Sequence, residues 1–153
     1  MARLRKTFAL VQAGRGRAVL VTGEPGIGKS RLLAELCVWA TAAQPQTTWV
    51  EGRCLSYGQD LPYHLLLEIV RALLGVPAAA DDELARELLS KVLRDLLGEV
   101  AAEVEPYLAH LLALPLEAAA SERVEGLDPA ALQARYLGAL RRVLLASAGT
   151  APL

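Results

Sequence analysis

A glycine-rich octapeptide, residues 23–30, carries the strongest chemical signal in this sequence. It reads Gly23-Glu24-Pro25-Gly26-Ile27-Gly28-Lys29-Ser30 and matches the pattern G-x-x-x-x-G-K-[ST] at every fixed position. Glycines let backbone N–H groups turn inward toward phosphate oxygens, because no Cβ atom stands in the way. The lysine adds a point charge for the β- and γ-phosphates, and the serine hydroxyl can ligate Mg²⁺. The motif therefore predicts binding of a nucleoside triphosphate with Mg²⁺, and ATP is the expected nucleotide.

The predicted contact set extends one position beyond the motif. Arg31 is interpreted either as a phosphate contact or as a solvated helix residue, and Glu24 is more typical of an exposed turn position than of a catalytic group. We predict Ser30 as the metal ligand and name no catalytic residue. The alternative interpretation of the whole loop is a structural turn. The predicted nucleotide-binding residues are Gly23, Glu24, Pro25, Gly26, Ile27, Gly28, Lys29, Ser30 and Arg31.

A strand before the loop and a helix after it must position this motif. The apolar run Ala18-Val19-Leu20-Val21, bounded by glycines, predicts a buried parallel strand. After the loop, apolar residues from Leu32 to Ala40 mark one helix face, and that helix should stop before Pro45. Thr47-Thr48-Trp49-Val50 predicts a second strand. The predicted fold is α/β: a P-loop NTPase with a partial parallel sheet, flanking helices and a mostly helical second half.

Elsewhere the apolar spacing is helical. Leu4, Phe8 and Val11 predict a first helix that Gly14 and Gly16 end. Asp81 or Asp82 can cap a later helix, and the pair Asp128-Pro129 should begin the last one. The predicted apolar faces of the later helices are Leu66, Ile69, Val70, Leu73 and Leu74; Leu84, Leu88, Val92, Leu93 and Leu96; and Leu132, Tyr136, Leu140, Val143 and Leu144. We predict one partial P-loop ATPase domain over residues 1–153, with a nucleotide-binding core at 1–62 and a helical portion at 63–153.

Composition limits the remaining classes of function. The 153 residues are 54% hydrophobic with a net charge of -1, which indicates a globular chain without the basic face that non-specific nucleic-acid binding needs. No apolar run reaches the roughly 18 residues of a membrane span, and the basic N-terminus lacks the apolar segment of a signal peptide. Cys37 and Cys54 lack metal-site spacing and suit a reducing compartment. We therefore predict a cytoplasmic protein with no membrane contact and no direct nucleic-acid contact.

Two blocks of residues resemble one family. Residues 19–33, which contain the octapeptide, resemble the AAA-type P-loop ATPase domain of bacterial signal-transduction ATPases, which occurs in large transcriptional regulators and beside class III adenylate cyclase domains. Glu51-Gly52-Arg53-Cys54-Leu55-Ser56-Tyr57-Gly58-Gln59, followed by Leu61-Pro62-Tyr63, resembles the block after that family's second strand. The resemblance implies Mg-ATP binding as a conformational switch and slow hydrolysis in the intact parent. It also implies effector or sensor domains as partners, and oligomerisation.

Two features of the family have no counterpart in this sequence. Its members usually begin with a strand-like FVGRE segment, and they continue into a third strand that ends in adjacent acidic residues, the Walker B element. Here the only acidic cluster is Asp81-Asp82-Glu83, and Pro77 with three alanines precedes it instead of a strand. We therefore expect a fragment, cut on both sides, that hydrolyses little or no ATP by itself and tends to self-associate.

Three functions remain open at this point. The first is a switch ATPase module of a signalling regulator, and the second is a P-loop small-molecule kinase, for which Arg141-Arg142 is the only late arginine pair that could serve as a lid. The third is a nucleotide-binding interaction fragment without turnover. Further residues have both a functional and a structural interpretation. Arg53 is an arginine finger or sensor, or a structural loop residue. Trp49 and Tyr63 are adenine stackers or packing residues, and His64 and His110 are ligands or ordinary surface or core histidines.

Overall fold

The computed structural model describes residues 1–53, 63–77 and 80–151, and every regular element in these ranges is helical. Contacts group the chain into two compact units, residues 1–49 with the end of the chain from Ala148, and residues 50–147. No described helix is both long and apolar enough to cross a membrane. The domain boundary predicted at residue 62 stays a prediction.

The helical elements follow in chain order. They are α1 (Ala2–Gln12), α2 (Lys29–Ala43), α3 (His64–Leu74), α4 (Asp82–Leu97), a 3-10 turn (Gly98–Val100), α5 (Ala101–Leu111), α6 (Ala118–Glu125) and α7 (Pro129–Thr150).

Aromatic contacts join α1 to α2 in the first unit. The ring of Phe8 meets the ring of Trp39 edge to face, with centroids 5.5 Å apart, a geometry that adds to the burial of both rings. The guanidinium of Arg5 lies 4.9 Å from the centroid of the same indole, which makes a cation–π contact. Trp39 therefore anchors α2 against α1.

The predicted parallel sheet is wrong for the described residues, which contain no strand. Residues 18–21 form no backbone ladder, and two of their side chains are open to solvent, with Val19 52% and Leu20 88% exposed, while Val21 is half-buried. At the second predicted strand, the Thr47 N–H donates to the Gln44 carbonyl at 2.9 Å and closes a turn. β-Propensity gives a segment a preference, but a strand exists only where a neighbour accepts its hydrogen bonds.

The missing sheet also leaves α2 half covered. Leu33 is 44% exposed, Cys37 is half-buried, and only Ala40 on this helix is fully buried. The apolar face predicted from Leu32 to Ala40 is therefore helical as expected, but the sheet that should bury it is absent from the described residues.

Predicted helix ends follow local chemistry and are confirmed. Gly14 adopts a φ of +73° just beyond α1, and α2 ends at Ala43, with Gln44 extended before Pro45. The Asp81 carboxylate accepts from the Leu84 N–H at 2.9 Å at the start of α4. The Asp128 carboxylate accepts from the Ala130 and Ala131 N–H groups, each at 2.9 Å, before Pro129 opens the last helix. These side chains satisfy N–H groups that the helix itself leaves without partners.

The second unit has a continuous apolar core built by all its helices. The fully buried side chains are Val70 on α3, Leu89 and Leu93 on α4, Leu108 on α5, Val124 on α6 and Val143 on α7. Each helix thus contributes at least one residue with almost no solvent contact, as expected for amphipathic helices packed on one core.

The apolar face of α4 is rotated relative to the prediction. Leu89, absent from the predicted face, is fully buried, whereas Leu84, which was included, is 44% exposed. Leucines and valines occupy a wide arc of this helix, so the sequence permits several orientations. Packing against α5 selects the one that centres on Ala85, Leu89 and Leu93.

Candidate functional site

Two glycines with left-handed backbone shape the predicted phosphate-binding loop. Gly26 has a φ of +80°, and the Ile27 N–H donates to the Glu24 carbonyl at 3.4 Å across it. Proline at the second position and a positive φ at the third are the features of a type II turn. Gly28 has a φ of +96° directly before α2. An added Cβ would meet nothing within 4 Å at either glycine, so backbone conformation, not space, requires glycine there.

Gly28 also leaves the N-terminus of α2 without a side-chain cap. The first bond of the helix runs from the Leu32 N–H to the Gly28 carbonyl at 2.9 Å. The N–H groups of the preceding first turn consequently have no intrahelical acceptor. Such a helix end attracts anions through its free donors and its positive dipole end.

Lys29 folds back over the loop that precedes it. Its Nζ donates to the Gly23 carbonyl at 2.9 Å and to the Glu24 carbonyl at 2.8 Å. These contacts hold the ammonium group over the loop and close residues 23–29 into a ring. The positive charge of Lys29 therefore lies above the backbone turn that the sequence motif predicts to bind phosphate.

The side chain of Arg31 points along α2. Its Nε lies 3.0 Å from Oε1 of Glu35, one turn further on, in an exposed ion pair. Ser30 is also exposed, and the Ile27 side chain is 70% exposed. A phosphate contact by Arg31 and magnesium ligation by Ser30 stay predictions.

Other predicted candidates have structural partners in the second unit. Arg53 pairs with Glu51 at 2.8 Å, and this hydrogen bond raises the pKa of the guanidinium. The backbone N–H of Arg53 donates to Glu68, which also lies 3.6 Å from Nε2 of His64. Arg142 donates to Glu103 at 2.9 Å on the surface of α7. A backbone hydrogen bond to Glu68 therefore joins the loop at Arg53 to α3, and the Arg142–Glu103 ion pair joins α7 to α5.

An aromatic cluster around Tyr136 was not predicted from the sequence. Its hydroxyl lies 2.5 Å from Nδ1 of His110, and its ring meets that of Tyr63 edge to face at 5.2 Å. Burial raises the pKa of the Tyr136 hydroxyl, and Tyr63 adds to the shift. His110, Tyr63 and Tyr136 are far apart in the sequence, so no spacing pattern could have brought them together.

Three further sequence features are the second sequence block, possible metal ligands and the acidic cluster. Cys54 and the rest of the second block through Pro62 lie outside the described residues. Within the described ranges, no group of three histidine, cysteine or acidic side chains could hold a metal ion. Asp81, part of the only acidic cluster, caps α4, with Asp82 and Glu83 in its first turn.

Comparison with known proteins defines the class. The family model described as AAA ATPase domain matches residues 1–153. The chain therefore belongs to the AAA ATPase domain family, and the family predicted from the two sequence blocks is confirmed. It is an ATPase-type nucleotide-binding domain, and domains of this family generally bind ATP with Mg²⁺. Neither the curated proteins nor the solved structures gave a match.

Proposed function

We propose that residues 23–31 bind Mg-ATP and that the bound nucleotide acts as a conformational switch in a cytoplasmic signalling or transcription regulator, with slow hydrolysis in the intact parent. The observation that carries this proposal is the loop itself. Two left-handed glycines, an uncapped helix N-terminus and the Lys29 ammonium converge on one backbone turn. Donors and positive charge in a small concave space are what a triphosphate requires.

The switch would work through Lys29. Its ammonium now satisfies the carbonyls of Gly23 and Glu24. Phosphate oxygens would compete for the same ammonium, and nucleotide binding would release these two carbonyls and re-form the loop. The change in loop conformation would act on the partners of the domain, which are sensor or effector domains and other copies of the domain.

Ser30→Ala should weaken ATP binding mainly when magnesium is present. The hydroxyl is assigned to the metal, so we expect affinity with Mg²⁺ to fall about tenfold and affinity in EDTA to change by less than about threefold. Calorimetric titrations of ATP under both conditions measure the two losses. Ser121→Ala, which removes an exposed hydroxyl on α6, is the matched control. Equal losses with Mg²⁺ and with EDTA would exclude Ser30 as a metal ligand.

The purified chain should hydrolyse ATP far more slowly than about 1 per second, the low end of typical turnover numbers. Positioning of metal and water dominates phosphoryl-transfer catalysis, and the acidic cluster at Asp81 serves a helix cap instead. A phosphate-release assay with Lys29→Ala as the background control measures this rate. Turnover near 1 per second that disappears in Lys29→Ala would contradict the expectation. ADP formation that depends on a small-molecule acceptor would favour the kinase alternative.

A further inference from the structure

A cavity of about 290 Å³ lies in the helical unit between α5, α6 and α7. Three arginines line it, Arg123 from α6 and Arg135 and Arg142 from α7, whereas Glu103 on α5 is the one acidic residue in its wall. Positive charge therefore exceeds negative charge around a pocket that is partly open to solvent, with the Arg142 and Glu103 side chains 51% and 69% exposed. A cleft lined mainly by one sign of charge attracts ligands of the opposite charge.

Contacts with α5 hold two of the guanidinium groups in place. Nη1 of Arg142 donates to Glu103 at 2.9 Å, and the guanidinium of Arg135 lies 5.7 Å from the centroid of the Tyr107 ring. A guanidinium that is already positioned loses less conformational entropy when it binds a ligand. The cavity wall is thus partly preorganised.

Part of the positive charge in this wall is not neutralised. Among the residues that the structure describes, neither Arg123 nor Arg135 forms an ion pair. Both line the cavity from different helices. Their N–H groups are therefore available to an oxyanion from two directions.

The floor of the cavity is built from small residues on α7. Ala134, Gly138 and Ala139 line it, and a Cβ added at Gly138 would meet nothing within 4 Å. The volume exceeds what a phosphate group alone would fill and approaches the lower limit of about 300 Å³ for small-molecule pockets. Val104 and Ala139, both buried, provide an apolar wall for the rest of a ligand.

We propose that this cavity binds a small organic molecule that carries a phosphate group, with Arg123 and Arg135 contacting the phosphate oxygens and the Glu103–Arg142 pair closing one side. Guanidinium groups that approach from two helices suit a tetrahedral group, whose oxygens point in several directions. The ligand's organic part would lie over Gly138. This proposal uses none of residues 23–31 and does not depend on the proposed function.

The test is an NMR titration of the full chain carrying Lys29→Ala, which removes the lysine of the phosphate-binding loop. Glycerol 3-phosphate is the organic probe, and inorganic phosphate and succinate are compared with it at constant ionic strength. We expect the Gly138 amide and the Nε–H signals of Arg135 and Arg142 to shift saturably with glycerol 3-phosphate, and more weakly with inorganic phosphate.

Matched variants separate charge from shape. The double variant Arg123→Gln/Arg135→Gln should lose at least about tenfold in affinity, whereas Arg141→Gln, the neighbour of Arg142 outside the cavity wall, should retain it. Gly138→Leu should block the cavity. Its matched control is Gly149→Leu, which makes the same substitution elsewhere on α7. Well-dispersed spectra would establish that each variant is folded. Shifts that stay linear, equal binding of succinate, or unchanged affinity in the double variant would overturn the proposal.

Discussion

Lys29→Ala should lower the affinity for ATP by roughly 10- to 100-fold, because a charge-assisted hydrogen bond contributes about 1.5–3 kcal/mol. The ammonium already lies over the loop, 2.9 Å from the Gly23 carbonyl and 2.8 Å from the Glu24 carbonyl. Only a short movement is needed to reach a phosphate placed on the same turn. Alanine removes this charge and the two lysine–carbonyl bonds, and it keeps the glycines that set the turns.

Calorimetry measures the effect, with circular dichroism to verify that helix content is retained. Lys91→Ala is the matched control, since Lys91 lies on α4 in the second unit and is exposed. We expect its affinity for ATP to equal that of the parent. Equal affinity in Lys29→Ala would instead contradict the assignment of residues 23–31 as the nucleotide site.

Leu108→Ala should lower the free energy of unfolding of the helical unit by about 2–5 kcal/mol, the usual range for a fully buried leucine. Leu108, on α5, has no solvent exposure and belongs to the core to which the other helices of the unit also contribute. The loss combines the transfer free energy of the removed methyl groups with the cavity that they leave. In the unit of residues 50–147 each kcal/mol corresponds to about 4–8 °C in Tm, so Tm should fall by at least about 8 °C.

Thermal and urea unfolding followed by circular dichroism measure this loss. Leu145→Ala makes the same substitution on α7 at a side chain that is 61% exposed, and we expect it to change stability by no more than about 0.5 kcal/mol. If both variants melted like the parent, the helical core would not be packed as described.

Features set by neighbouring residues were predictable from the sequence. Asp81 and Asp128 cap their helices because each carboxylate needs only the N–H groups two or three positions ahead. Pro25 and Gly26 together specify the turn inside the loop, and Pro45 ends α2 through the restriction on the residue before it. In each of these cases the contacts that set the structure lie within a few residues along the chain.

The sheet was not determined in this way. The segment Ala18 to Val21 has the composition of a buried strand. Its backbone donors and acceptors need a neighbouring strand to pair with, and the described residues contain no such strand. The exposure of Val19 and Leu20 follows directly. Strand propensity alone therefore gave a wrong fold class.

The sequence by itself determined the family, the glycine turns of the loop, the position of Lys29 next to a helix N-terminus, and the ends of the helices. Tertiary structure alone decided which face of α4 is buried, which partners Tyr136 contacts, and that Arg123, Arg135 and Arg142 line one cavity. The physical reason is the sequence separation of the residues that make each contact. Turns and caps are satisfied by adjacent backbone groups, whereas burial, aromatic contacts and cavities depend on residues that only packing brings together.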